Sequence, residues 1–92
     1  MKQVLIPKAG AADVLRVVDG PDPEPGAGEV RIRVGAAGIN FADIMGRLGI
    51  YPDAPRPPFV PGFELAGTID AVGSEVSAWS VGDEVIAITL YG

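Results

Sequence analysis

Glycine and proline divide this sequence into short apolar runs, and this division most limits the folds open to it. Thirteen glycines and nine prolines are spread over 92 residues without a fixed period. Because these residues lie between the apolar runs, where turns would form, they favour a mainly β fold with many turns over a disordered or collagen-like chain.

Alternating or β-branched apolar residues predict the strands that these turns connect. The clearest strand is 29–37, where Val30, Ile32 and Val34 alternate with arginine or glycine, which predicts one buried and one wet face. Four further strands are predicted, at 2–6, 14–18, 65–72 and 85–90. Residues 8–12 are predicted to form a hairpin loop between the first two of them.

The last predicted strand, 85–90, is apolar and rich in β-branched residues. That composition is typical of a central strand buried on both faces, and Trp79 and Val81 are expected to anchor the preceding turns to the core. A sequence that stops at Gly92 leaves open hydrogen bonds at the edge of such a strand. We therefore expect more chain or a second copy at this position, and a homo-oligomer formed through the open sheet edge.

A short helix is predicted at 41–48. Asn40 is a favourable N-cap, because its side-chain oxygen can accept an orphan amide one turn further on. Ile44, Met45 and Leu48 give the helix a short apolar face, and Gly49 is its predicted stop.

A proline-rich loop and an isolated carboxylate follow the helix. Residues 51–61 contain five prolines, and a loop stiffened in this way loses less entropy when it is held in a binding geometry. Glu64 stands among small and apolar residues, where a carboxylate is predicted to be paired or functional because burying one alone is costly.

Composition excludes several classes of function. The net charge of −5, without a cluster of Lys or Arg, argues against binding to nucleic acid or to an anionic membrane. The absence of cysteine and histidine removes disulfides, thiolate chemistry, the commonest metal ligand and the commonest general base. The sequence shows no signal peptide and no apolar run long enough to cross a membrane, so a cytoplasmic protein without membrane insertion is predicted.

The order of the motifs is similar to that of a known family. A GINFAD helix start, a proline loop leading to PGFELAG, and the VGSEV and VGDEV turns resemble the medium-chain dehydrogenase/reductase superfamily. More narrowly, they resemble its zinc-independent quinone oxidoreductase branch, including the VAT-1-like members. The resemblance covers essentially the whole chain. It implies a GroES-like, partly open β-barrel with one short helix, incomplete at the C-terminus, which is the N-terminal portion of the catalytic domain.

The resemblance also implies that the zinc site of the superfamily is lost. In zinc-dependent members, the residue after GI or GV is a cysteine ligand, and the middle residue of a GHE triplet is a second ligand. Asn40 and Phe63 stand at these positions here, and neither is a credible zinc ligand. The resemblance and the composition therefore agree on an enzyme without catalytic zinc.

Family members continue into a Rossmann domain with a glycine-rich dinucleotide fingerprint, which residues 1–92 lack. The sequence is therefore interpreted as an N-terminal fragment or a truncated product that does not bind a dinucleotide tightly by itself. The complete enzyme is expected to pass a hydride from NADPH, bound mainly by the other domain, to a quinone or an α,β-unsaturated carbonyl compound. The choice of NADPH over NADH rests on the resemblance alone.

The resemblance implies three site residues. Asn40 is expected to hydrogen-bond the nicotinamide or a substrate carbonyl oxygen, and a role as a simple N-cap remains open. Tyr51 is expected to donate a hydrogen bond or a proton to a reduced quinone oxygen, and the alternative is a loop aromatic that packs on proline. Met45 is a candidate cofactor contact by position, where some quinone reductases carry a tyrosine that contacts the cofactor. The methionine departs from that pattern, which weakens the carry-over of the contact.

Three charged residues nearby are assigned structural roles. Glu64, at the position of the glutamate behind the metal in zinc enzymes, is expected to pair with an arginine or to accept backbone amides. Asp43 is expected to interact with the positive end of the helix dipole. Arg47 is expected to face solvent, with a phosphate contact as the alternative. Two other functions remain open: a co-chaperonin-type interaction module, and a truncated polypeptide without activity.

Overall fold

The structure, a computed structural model, describes residues 1–89, in which five strands and one α-helix form. The strands are β1 (Lys2–Leu5), β2 (Arg16–Asp19), β3 (Val30–Ala37), β4 (Glu64–Val72) and β5 (Glu84–Ile88), and the helix is α1 (Phe41–Leu48). The predicted mainly β fold with one short helix is confirmed. Leu90, the predicted end of the last strand, lies outside the described residues.

The two N-terminal strands form an antiparallel hairpin, as predicted, but their connection differs from a plain loop. Residues Ala12–Val14 form a 3-10 helix that buries Val14, and β2 begins only at Arg16. Backbone hydrogen bonds join the residue that follows β1 to the proline-rich loop. There, the N–H of Ile6 donates to the carbonyl oxygen of Phe59 at 2.9 Å, and the N–H of Phe59 returns a bond of 3.1 Å.

A second, antiparallel sheet has the order β3-β4-β5. Its register pairs Val34 with Gly67, next to a bulge in β3. The two strands approach closely at this pair: a Cβ atom on Gly67 would lie only 2.2 Å from the carbonyl oxygen of Arg33. At the other end, Arg31 donates to the Asp70 carboxylate at 2.8 Å, and this hydrogen bond raises the pKa of Arg31. The two described sheets do not close into a barrel.

The hydrophobic core is small. Ile6 and Ile69 are each 1% exposed, and Val14 joins them at 9%. The predicted alternation of buried and exposed residues along β3 is wrong in its second half, since Val34 is 54% exposed. No other layer covers this part of β3 within residues 1–89, so its apolar side chains remain at the surface.

The predicted burial of β5 and of the turns before it is also wrong for the described residues. Ile86 and Ile88 are 84% and 88% exposed, and β5 pairs with β4 along one edge. Trp79 and Val81 are exposed as well and do not anchor the turns. A backbone hydrogen bond holds the turn before β5 instead: the N–H of Gly82 donates to the carbonyl oxygen of Ile69 at 2.8 Å. Within residues 1–89, no helix has the length and apolar character needed to span a bilayer.

Candidate functional site

The candidate site is built around the start of α1. Asn40 is the N-cap residue, with an extended backbone, and it forms a capping box with Asp43 in which its N–H donates to Asp43 Oδ2 at 2.9 Å. At the other end, Gly49 takes the left-handed conformation, with φ of 80°, and stops the helix. The predicted bounds, N-cap and stop of the helix are confirmed.

The helix presents its apolar face outward rather than to the core. Phe41, Ile44 and Leu48 lie three and four residues apart, so they share one face, and they are 72%, 37% and 43% exposed. On the opposite side, Gly46 is buried, and a Cβ there would meet the Phe59 ring at 3.6 Å. The outward apolar face of α1, formed by Phe41, Ile44 and Leu48, is therefore available to a binding partner or a substrate.

Two charged side chains of α1 turn inward as a consequence. Asp43 Oδ1 and Arg47 Nε are buried and have no hydrogen-bond partner among residues 1–89. Contrary to the prediction from the sequence, Arg47 does not lie fully in solvent, because the residue is half-buried and its Nε is shielded from solvent. The helix thus buries polar atoms and exposes apolar ones, the reverse of an ordinary surface helix.

A small cavity of about 10 Å³ lies beneath α1, close to the proline-rich loop. Asp43 and Tyr51 both line it, together with Phe63. The Tyr51 and Phe63 rings contact each other, with centroids 6.0 Å apart and planes inclined at 50°. The cavity is lined by Ala42, Asp43, Gly46, Tyr51, Ala54, Phe59, Pro61 and Phe63.

The predicted site residues fall in two places around α1. Tyr51 lies at the cavity, whereas Asn40 and Met45 are half-buried residues on the helix itself and do not line the cavity. The carbonyl oxygen of Met45 accepts the N–H of Ile50 at 3.0 Å, which fixes the chain leading to Tyr51. Sequence reasoning missed the inward position of Asp43, although an acidic residue three positions after an N-cap is a capping-box signal.

Glu64 does not have the environment that its sequence context predicts. The residue is exposed, and it forms no ion pair within residues 1–89. Its side chain lies across Gly38, where a Cβ atom would come within 1.9 Å of Oε1. The expected arginine partner is therefore wrong for the described residues. The alternative, acceptance of backbone amides, stays a prediction.

The described part of the chain contains no side-chain cluster of the kind that holds a metal ion. No group of three His, Cys, Asp or Glu residues is arranged to hold a metal ion between residues 1 and 89. Asn40 and Phe63 stand where the resemblance implies the two ligands of zinc-dependent members. Asn40 is half-buried at the helix N-cap, and the Phe63 ring packs on Tyr51.

These features define a GroES-like domain of an oxidoreductase superfamily. The family model of the alcohol dehydrogenase GroES-like domain matches residues 26–91, and the chain belongs to this family. Within it, the relatives are quinone oxidoreductases and VAT-1 homologues of the medium-chain dehydrogenase/reductase superfamily. The resemblance noted in the sequence and the GroES-like fold are both confirmed.

Individual relatives match the chain over nearly its whole length. It is 41% identical over 91 residues to the human synaptic vesicle membrane protein VAT-1 homolog-like, covering 99% of this chain and 22% of that protein. It is 44% identical over 88 residues to a quinone oxidoreductase of Pseudomonas aeruginosa, covering 96% of this chain and 27% of that protein.

Among solved structures, the quinone oxidoreductase of Escherichia coli complexed with NADPH has a TM-score of 0.93 and 34% identity, and the match covers 99% of this chain and 28% of that one. The chain therefore spans about a quarter of the length of the relatives that it matches.

Proposed function

We propose that this chain forms the substrate-side wall of an NADPH-dependent oxidoreductase that reduces a quinone or an enone without zinc. The observation that carries the proposal is the outward apolar face of α1, which begins one residue after the polar N-cap Asn40. A flat, apolar acceptor with carbonyl oxygens needs this combination of an apolar platform and a nearby hydrogen-bond donor.

Asn40 and Tyr51 are proposed to act on the substrate oxygens. The Asn40 amide would hydrogen-bond a carbonyl oxygen or the nicotinamide, since it stands at the helix N-terminus, where developing negative charge is favoured. Tyr51 lines the cavity on the side of α1 opposite the outward apolar face. It would therefore donate a hydrogen bond or a proton to a substrate oxygen that reaches past the start of the helix, where negative charge develops during reduction. The contact with the Phe63 ring limits the orientations that the Tyr51 side chain can take.

The residues of this chain that are proposed to contact NADPH would hold only its nicotinamide end. Asn40 and Met45 are the candidates for contacts with the nicotinamide, and both are half-buried on α1. The sequence has no glycine-rich fingerprint to hold the pyrophosphate, so the rest of the cofactor would be bound by another domain. When it is bound, the cofactor supplies the hydride, and the role of this chain is to orient the acceptor and to exclude water.

The identities of two residues support a reaction without zinc. An amide at position 40 and a phenyl ring at position 63 cannot replace a thiolate and an imidazole as ligands. Phe63 moreover has another role, because its ring packs on Tyr51. A cytoplasmic location stays a prediction from the sequence.

The test is a steady-state assay of the complete polypeptide that carries these residues. We expect NADPH to be consumed with a quinone or an enone as acceptor. Tyr51→Phe keeps the ring against Phe63 and removes the hydroxyl, and we expect it to lower kcat/KM by about a hundredfold. Asn40→Asp keeps a good N-cap and removes the amide donor, and a comparable loss is expected.

Ser77→Ala is the matched control, because Ser77 is exposed and lies outside the candidate site. It should leave kcat/KM unchanged. No consumption of NADPH with either class of acceptor would refute the proposed function, and full activity of Tyr51→Phe and Asn40→Asp would refute the assigned roles.

A further inference from the structure

We propose that Asp43 is a positioning residue, whose free carboxylate oxygen orients the Tyr51 hydroxyl through one bridging water molecule. This inference rests on the proposed function and deepens it, because it names the group that holds Tyr51 in place. It starts from Asp43 Oδ1, which is buried and has no partner in the described part of the chain. A buried carboxylate oxygen without a hydrogen bond is costly, so it requires a donor.

The cavity beneath α1 has the size and the lining to provide that donor. A buried water needs roughly 10 to 15 Å³ and at least two polar partners. The cavity measures about 10 Å³, and Asp43 and Tyr51 are its two lining residues with polar side chains. The other lining residues are alanine, glycine, proline and phenylalanine, which offer no competing side-chain donor.

The direction of the hydrogen bonds follows from the donors that are present. An ionised carboxylate only accepts, so one O–H of the water donates to Asp43 Oδ1. In the proposed arrangement the second O–H of the water donates to the Tyr51 phenol oxygen, which can accept as well as donate. The single proton of Tyr51 is then free to point away from the cavity, toward a substrate oxygen.

The carboxylate itself is held in place by the helix start. Asp43 Oδ2 accepts the N–H of Asn40 at 2.9 Å, so the side chain is not free to rotate. One carboxylate therefore connects the backbone of Asn40 with the hydroxyl of Tyr51, the two residues proposed to contact the substrate. A conformational constraint of this kind lowers the entropy lost when the reacting groups are aligned.

The kinetic test is a double-mutant cycle in the complete polypeptide. Asp43→Asn keeps an oxygen for the N–H of Asn40 but replaces an acceptor by a donor, and we expect it to lower kcat by about tenfold with little change in KM. In the Tyr51→Phe background the same substitution should have no further effect, because the hydroxyl that it positions is gone. A merely structural role would lower kcat by the same factor in both backgrounds, and that result would overturn the proposal.

A crystal structure of the unsubstituted protein is the second test and does not depend on activity or on the folding of a variant. We expect a water molecule in the cavity within hydrogen-bond distance of both Asp43 Oδ1 and the Tyr51 hydroxyl. A dry cavity, or a protein donor on Oδ1 in place of water, would overturn the proposal. Failure of the proposed function would instead appear as no NADPH consumption by the unsubstituted protein, whatever the cavity contains.

Discussion

Substituting Gly67 by alanine tests the register of the β3–β4 pair, which positions the strand that leads out of the candidate site. Gly67 pairs with Val34, and a Cβ atom at this position would lie 2.2 Å from the carbonyl oxygen of Arg33 and 2.8 Å from Ile32 Cγ2. Ordinary contact begins at 3.4 Å. The two strands would therefore have to separate by roughly 1 Å, the difference between these distances, because the nearest atom belongs to the backbone and cannot rotate away.

The size of the effect follows from the overpacking and the hydrogen bond that is lost. Overpacking typically costs about 1 to 3 kcal/mol, and one backbone hydrogen bond contributes about 0.5 to 1.5 kcal/mol. We expect Gly67→Ala to lower the free energy of unfolding by about 2 to 4 kcal/mol. A chain of this length is expected to have a total of about 5 to 14 kcal/mol, so the loss is a large fraction.

Urea unfolding followed by far-ultraviolet circular dichroism measures this loss. Tryptophan fluorescence is a poor reporter, because Trp79, the single tryptophan, is half exposed. The urea midpoint should fall by about 1 to 3 M. Gly35→Ala is the control, since its Cβ would lie 3.6 Å from the Ala66 carbonyl oxygen and should be neutral or slightly stabilising. A Gly67→Ala variant within 0.5 kcal/mol of the unsubstituted protein, a margin typical of about neutral surface changes, would refute the register.

Three further predictions concern the helix, its outward face and the sheet edge. Gly49→Ala should destabilise the protein by about 1 kcal/mol because of its φ of 80°, whereas Gly28→Ala, with no atom within 4 Å of the added Cβ, should not change the urea midpoint. Phe41→Ala should raise KM for a quinone by about tenfold in the complete enzyme. It should have little effect on stability, because Phe41 is 72% exposed. An unchanged KM would contradict the role of the outward apolar face in binding. The paired substitutions Ile86→Lys and Ile88→Lys should weaken self-association measured by sedimentation velocity. The control substitution Val17→Lys, on β2, should not weaken it. An unsubstituted chain that stays monomeric at high concentration would contradict association through β5.

Local features of the fold could be predicted from the sequence. The helix bounds follow from Asn40 and Gly49, because a cap and a left-handed stop act within a few residues of the helix end. The strands follow from short apolar runs between glycines and prolines, and their predicted bounds differ by one or two residues from the observed ones.

Burial could not be predicted in the same way, because it depends on which element packs over a residue. Ile86, Val34 and Trp79 have the composition of core residues, yet they are exposed in the described part of the chain. The orientation of α1 is a second example. The sequence pattern predicts an apolar face of Ile44, Met45 and Leu48, whereas Phe41 takes the place of Met45 in the outward face, and the pattern does not say which side faces the core.

The candidate site shows the same division between local and tertiary information. The N-cap of Asn40 is a local feature and was predicted. The contact between Tyr51 and Phe63 joins the first residue of the proline-rich loop to a residue just after its end, so sequence spacing does not indicate it. The inward turn of Asp43 depends on the face that α1 buries, and only the structure shows that its Oδ1 is shielded from solvent.

Hydride transfer without zinc is proposed for this protein because Asn40 and Phe63 stand where the resemblance implies two metal ligands. Inductively coupled plasma mass spectrometry of the active complete polypeptide, purified without chelators, tests it most directly. We expect far less than one zinc ion per chain and an unchanged rate of NADPH-dependent quinone reduction after dialysis against a chelator. One zinc ion per chain, with activity that is lost on chelation and restored by zinc, would contradict it.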